Sequence, residues 1–187
     1  MDFAELVAPE QVIGIDIETA QIEKAKMLKE ARKLTNVKFQ VDDLNDLPFN
    51  DNTFEAIFTH GVIEYFQDPV HAFREIRRVL KKGGVFGTRH GDWGGFLLAT
   101  KNAYTKKAFS LFVQLMQRNG GDPFFGRNQV SYLRQSGFTR IIANPCRLHH
   151  TIVGLRVLKL PFNYFRIGAG SPYFDHSLRS LCCAKIA

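Results

Sequence analysis

Apolar residues fall along this chain in two rhythms. Residues 12–17 (VIGIDI) are almost wholly apolar and rich in β-branched side chains, as a strand buried on both faces of a parallel sheet requires. Over residues 19–34 the period lengthens. Ile22, Ala25, Leu28 and Ala31 share one face, Lys and Glu fill the other, and Thr19 is placed to cap the helix this predicts, with Thr35-Asn36 ending it. Residues 37–41 and 54–58 read as two further strands, separated by a polar loop over 42–52. Asp68-Pro69 then opens a second helix, with the acid as cap and proline at the first helical position, and Phe73, Ile76 and Leu80 form its buried stripe. Lys81-Lys82-Gly83-Gly84 closes it: two cations complement the helix dipole and a glycine supplies a left-handed exit into a strand over 85–88. Beyond lie a longer helix over 100–119, a shorter one over 128–136 followed by Gly137, a strand over 138–143 and a last strand over 151–158. Alternation of this kind predicts an α/β doubly wound sheet, and no internal repeat or low-complexity segment interrupts it.

Composition narrows the picture. At 187 residues and 45% hydrophobic content the chain suits one core, so a single domain over 1–187 is expected, with the carboxyl ends of the early strands in about residues 1–90 and the remainder over about 91–187. No apolar stretch approaches the roughly 20 residues of a membrane-spanning helix. The first residues lack the basic-then-apolar order of a secretory signal, and Cys146, Cys182 and Cys183 form neither an even framework nor a zinc or redox motif. A cytoplasmic protein without a bound metal is expected. The net charge of +7 is unevenly spread: residues 1–68 hold 14 acids and 6 Lys/Arg, giving −8, and residues 69–187 hold 4 acids and 19 Lys/Arg, giving +15. Solvated faces of one globule explain this most simply. An acidic first part also suits a cationic ligand, and a basic second part suits a membrane surface of anionic headgroups or an acidic substrate. Nucleic acid is disfavoured, since the basic residues form no run of five or more.

Four blocks then stand in a recognisable order: VIGIDIETAQI (12–22), FQVDDLNDLPFNDNTFEAIF (39–58), THGVIEYFQDP (59–69) and AFREIRRVLKKGG (72–84), with a weaker fifth, NGGDPFFGRNQVSYLRQSGF (119–138). Together they closely resemble the class I methyltransferases that use S-adenosylmethionine, in particular the ubiquinone and menaquinone C-methyltransferase group. The resemblance implies a Rossmann-like sheet with S-adenosylmethionine as cofactor at the carboxyl ends of its strands. Asp16 then matches the acid that accepts hydrogen bonds from the ribose hydroxyls; the plainer alternative is an aspartate capping the helix near Thr19. Gln21 matches a residue covering the adenine or ribose, or is an exposed helix residue. Asp43 and Leu44 match the acid and following residue at the adenine, where the carboxylate takes the amino group and a backbone amide a ring nitrogen. Asp42 stands where the family often has glycine, and Leu44 is larger than usual, which would tighten the slot. His60, within Thr59-His60-Gly61, is placed to touch the methionine part.

Methyl transfer is an in-line displacement, so alignment and desolvation matter more than acid–base help. No triad is expected. Where a base is needed, His60, His90 and Glu64 are the candidates, each as readily structural as catalytic. Residues 89–96 (RHGDWGGF) carry the only tryptophan and three glycines, fit for a wall of an acceptor pocket or an ordinary surface turn.

One departure is large. No Gly-x-Gly turn precedes residue 12, so the first strand and glycine-rich loop of the family are lacking, and residues 1–9 resemble the end of the helix that follows that loop. In the family's sheet that strand is central, and without it two edges would face a gap of unpaired backbone groups, each costing about 1–3 kcal/mol. Truncation, a different segment or partner chain in the gap, and a non-enzymatic relative are the three explanations. Two functions follow: methyl transfer to a small or lipophilic molecule at carbon, oxygen or nitrogen, or a catalytically inactive methyltransferase-like fragment or regulatory partner subunit. Residues 160–187 match no block and show no period; a packed irregular tail is expected there, with an aromatic flap or a membrane-facing surface as the alternatives.

Overall fold

The computed structural model describes residues 2–93 and 102–143, and the backbone of 181–184. The chain begins with α1 (Asp2–Val7), then β1 (Val12–Asp16), α2 (Thr19–Ala31), β2 (Val37–Val41) and β3 (Phe54–His60). A single 3-10 turn at Ile63–Tyr65 leads to α3 (Pro69–Val79), β4 (Leu80–Arg89), α4 (Ala103–Arg118), α5 (Phe125–Gln135) and β5 (Leu181–Ala184). The strands form one sheet in the order β2-β1-β5-β3-β4. β1 runs parallel to β2 and β3 parallel to β4, so the alternating pattern does produce an α/β sheet with its early carboxyl ends on one side.

Between β1 and β3 lies β5, antiparallel to both. Leu181 pairs with Ile15, Cys182 with Gly14 and Phe58, Cys183 with Ile13 and Ile57, and Ala184 with Val12 and Ala56. The expected gap at the centre of the sheet is therefore filled by the chain's own residues, in a segment where no strand period was legible. Because Leu181 stands beside Ile15, the strand enters the sheet at the carboxyl ends of its neighbours.

The core follows from the apolar pattern. Phe54, Ile57, Ile63, Phe73, Ile76, Val79 and Phe125 are almost completely buried in one cluster. Phe73 is its hub, with ring centroids 5.8 Å from Phe86, 6.1 Å from Phe125 and 6.5 Å from Phe138. Burying one such ring contributes about 2–3 kcal/mol. A smaller cluster of Ala4, Val12 and Val37 holds α1 on the sheet, and buried Asn36 ties it in, its Nδ2 donating to Ala4 O at 2.7 Å and Glu10 O at 2.8 Å.

Several expected boundaries move. Thr19 is the first residue of α2 and Glu18 its cap, without a side-chain bond. The helix ends at Ala31, not Leu34, because Lys33 turns left-handed (φ 55°) and the Leu34 amide reaches back to Lys29 O at 3.0 Å, a closing bond that precedes the Thr35-Asn36 loop. Asp68 caps α3 as predicted, its Oδ1 accepting from the His71 amide at 2.9 Å. Lys81 to Gly84 lie within β4 as a bulge: pairing steps from Phe54–Leu80 to Ala56–Val85, and Gly83 (φ 82°) takes the left-handed conformation the bulge requires. The helix expected over 128–136 starts earlier, at Phe125, where the Asp122 carboxylate accepts the Phe124 amide at 2.8 Å. Asp122-Pro123 repeats the Asp68-Pro69 signal and would have located it. Residues 138–143 are not a strand: Phe138 and Ile141 turn into the core, Arg140 has φ 54°, and Ile142 is 87% exposed, so no alternation along a sheet edge survives. The strand expected over 151–158, residues 94–96 of the glycine segment and most of the tail lie outside the described residues.

Candidate functional site

The carboxyl ends of β1 and β2 stand side by side, with Asp16 opposite Val41. Asp16 is partly buried, and its Oδ1 accepts the Glu18 amide at 2.9 Å, so it steadies the turn into α2 without capping the helix, whose cap is Glu18. Burial pushes this carboxyl upward, and the Glu18 amide pulls it back down. The Ile17 amide also favours the ionised carboxylate. Next to it Ile17 is 65% exposed and, across the strand pair, Val41 is 45% exposed. Sequence reading passed over both as strand apolars. An apolar side chain left open beside a partly desolvated carboxylate at a strand's carboxyl end is the signal that marks them. Gln21 lies half-buried in the first turn of α2, its amide donating to Glu18 O at 2.9 Å.

The loop after β2 is joined to this point by the Asp42 amide, which donates to Asp16 O at 3.2 Å. Asp42 itself takes the Gln40 side-chain amide. Asp43 turns its Oδ1 inward to the Asn45 amide at 2.8 Å and side chain at 3.1 Å, a local turn that fixes the carboxylate's place. Leu44 is buried at 5% in the main core with Leu47, so its larger side chain does not narrow the space at the strand ends as the sequence suggested. Three residues of α3 hold the loop from behind: His71 bonds Asn45 O at 2.9 Å, Glu75 accepts the Leu47 amide, and Arg78 donates to Leu47 O at 2.9 Å and Phe49 O at 2.7 Å. Their spacing of four and three residues puts them on one helix face. Arg78 also meets Glu75 at 2.8 Å and Asp51 at 3.0 Å, and its hydrogen bond is the main reason the Glu75 carboxyl sits below the ordinary range.

On the other side of β5, His60 ends β3 opposite Arg89, and Gly61 (φ 63°) turns the chain away, its amide donating to Arg89 O at 3.0 Å. His60 is half-buried there. The structure brings together His90 and Glu64, which lie 26 residues apart: His90 Nδ1 meets Glu64 Oε2, with the side chains 0% and 1% exposed. His90 Nε2 meets Thr88 Oγ1, which meets Thr59 Oγ1 at 2.8 Å. One assignment of protons satisfies the whole row. The Thr59 hydroxyl donates to Thr88, Thr88 to Nε2, and Nδ1–H to the carboxylate. Both ring nitrogens are then engaged. The Glu64 carbonyl also accepts the Asp122 amide at 2.9 Å, binding the turn before α5 to the loop after β3. Of the segment after β4, Gly91 O accepts the Gly126 amide at 3.1 Å, Asp92 makes a paired contact to Arg127, and Trp93 packs on Phe112 at 5.4 Å. Among the described residues no group of three His, Cys, Asp or Glu side chains converges as metal ligands would.

Comparisons with known proteins agree with this geometry. Residues 2–87 match the methyltransferase domain family model. An uncharacterised methyltransferase of Schizosaccharomyces pombe is 32% identical over 136 residues, covering 67% of this chain and 47% of its own length. A rice chloroplast 2-methyl-6-phytyl-1,4-hydroquinone methyltransferase is 40% identical over 79 residues, 42% of this chain and 22% of its own. The chain thus spans less than half the length of these relatives. Among solved structures, the [4+2]-cyclase SpnF superposes with a TM-score of 0.53 at 24% identity over 71% of this chain and 44% of its own, a likeness of fold alone. The parallel strands, the order of the blocks and these relatives together identify residues 2–87 as part of a class I methyltransferase domain.

Proposed function

We propose that this chain binds S-adenosylmethionine at the carboxyl ends of β1 and β2 and supports methyl transfer to a small, lipophilic acceptor. The observation that carries the reading is Asp16: a partly desolvated carboxylate at a strand end, flanked by the exposed apolar Ile17 and Val41. This chemistry fits the adenosine end of the cofactor, whose diol needs a paired acceptor and whose base needs an apolar surface. Asp16 would accept the ribose hydroxyls, Gln21 would cover the nucleoside from α2, and Asp43 with the Leu44 amide would hold the adenine edge. When bound, the cofactor supplies a methyl on a positively charged sulfur, open to in-line attack by a lone pair of the acceptor. His60, at the end of β3, is the residue whose position suits contact with that end. His90 and Glu64 act differently in this reading: shielded and bound to each other, they position the loops after β3 and β4 rather than take a proton.

The antiparallel β5 favours a second reading. It stands where the resemblance leads one to expect a parallel strand and its glycine-rich turn, and a chain so built would bind as a regulatory or partner subunit without transferring methyl groups. Calorimetric titration with S-adenosylmethionine tests both. Micromolar binding that Asp16→Ala weakens tenfold or more, about 1.4 kcal/mol, supports the first reading. A folded chain that binds none refutes it.

A further inference from the structure

α4 is a basic helix with an apolar stripe turned to solvent. Asn102 caps it firmly, its Oδ1 accepting the Tyr104 amide at 2.9 Å and the Thr105 amide at 3.3 Å. Only Met116 is fully buried, and Phe112 packs beside it on Trp93. Tyr104, Ala108, Leu111 and Leu115 recur at spacings of four, three and four, which at 100° per residue confines them to about 60° of arc and about 16 Å of length. This stripe is exposed: Tyr104 87%, Leu111 50% and Leu115 56%. Lys107 and Arg118, both exposed, border it on one flank, Lys106 lies further round, and the sixteen residues contain no Asp or Glu.

Leucines and a tyrosine on a narrow outward stripe, bordered by cations on a helix without acids, match what an anionic lipid surface accepts: apolar side chains at the headgroup boundary and Lys or Arg among the phosphates. A protein groove would need the complementary carboxylates to be placed one by one. A bilayer offers them as a continuous field, which suits a helix whose stripe is bordered by Lys107 and Arg118 and which carries no acid of its own. We infer that α4 lays the Tyr104–Leu115 stripe on an anionic membrane surface. The helix is fixed to the rest of the molecule at its far end, where the Gly121 amide donates to Met116 O at 2.9 Å and the Asp122 amide to Glu64 O at 2.9 Å. Lipid contact would therefore be transmitted to the loop after β3 by rigid structure. The inference needs no methyl transfer and stands or falls apart from it.

The test is flotation of the full chain with vesicles of phosphatidylcholine alone and of phosphatidylcholine mixed with phosphatidylserine. The expected result is binding to the mixed vesicles that weakens about tenfold in Leu111→Glu/Leu115→Glu, weakens comparably in Lys107→Glu/Arg118→Glu, and fades as salt shortens the screening length from about 10 Å to about 3 Å. All four positions are exposed, and unchanged circular dichroism and melting confirm that the variants fold. Equal binding to both vesicle types, or binding untouched by either double variant, overturns the inference. A concentration-dependent dimer in sedimentation that the leucine variant dissolves also overturns it, because the stripe would then be covered by a second copy.

Discussion

Arg78→Met removes the guanidinium that holds the 42–52 loop while keeping the apolar stem. The lost bonds are those to Leu47 O, Phe49 O, Glu75 and Asp51. Asp51 is 67% exposed and Arg78 31%, so water screens that pair to almost nothing, whereas Glu75 is only 16% exposed. Two carbonyl bonds at about 0.5–1 kcal/mol each and the sheltered Glu75 contact at about 1 kcal/mol suggest a cost of about 2–3 kcal/mol. For a chain of this length that lowers Tm by about 5–10 °C. The same pair sets an acid limb. Because Arg78 holds the Glu75 carboxyl below its ordinary value of about 4.3, the folded state binds fewer protons than the unfolded chain between the two values. The stabilisation is full above that ordinary value and is lost as pH falls through the lower folded one. Scanning calorimetry between neutral pH and about pH 3 should show native Tm falling below about pH 4 and the variant falling less. A variant that melts within about 0.5 kcal/mol of the native chain at neutral pH, the range of an ordinary surface substitution, would refute the view that Arg78 anchors the loop.

Glu64→Ala should destabilise the chain by about 3–5 kcal/mol in denaturant unfolding, since it leaves His90 buried without its partner, whereas the double exchange Glu64→Met/His90→Phe should recover most of that loss. A single variant as stable as the native chain would show that the pair is solvated in solution. Removing residues 181–187 should uncover the facing edges of β1 and β3, lowering Tm and producing aggregation visible by light scattering. A truncated chain that melts and sediments like the native one would mean that β5 does not hold the two halves of the sheet together.

Much of the fold was legible in the residues themselves. A both-faces-buried strand needs the almost wholly apolar run of 12–17, an amphipathic helix needs a stripe such as Phe73 and Ile76, and Asp-Pro favours a helix start, so these elements follow from local rules, although Leu80, read as the end of that stripe, opens β4 instead. The placement of Asp16, Asp43 and His60 at strand ends was equally local, because Asp16 and His60 end strands and Asp43 lies two residues beyond one. What the sequence could not supply was everything set by contacts between distant segments. The pairing of Glu64 with His90 and the row of hydroxyls behind them join residues 26 and 29 positions apart, and no spacing rule links a strand end to a loop beyond the next helix. That the Leu44 side chain packs into the core with Leu47 was likewise not legible, since the turn of its loop is held by α3. The failure of 138–143 as a strand has the same origin: a β-strand exists only beside a partner, and the residues that alternate most persuasively are packed instead against Phe73 and Phe86. The centre of the sheet shows the limit most clearly. Four residues near the end of the chain, with no period of their own, become its middle strand because β1 and β3 each present an edge of unpaired amides and carbonyls, and the free energy of satisfying both edges is a property of the assembled sheet rather than of the segment that fills it.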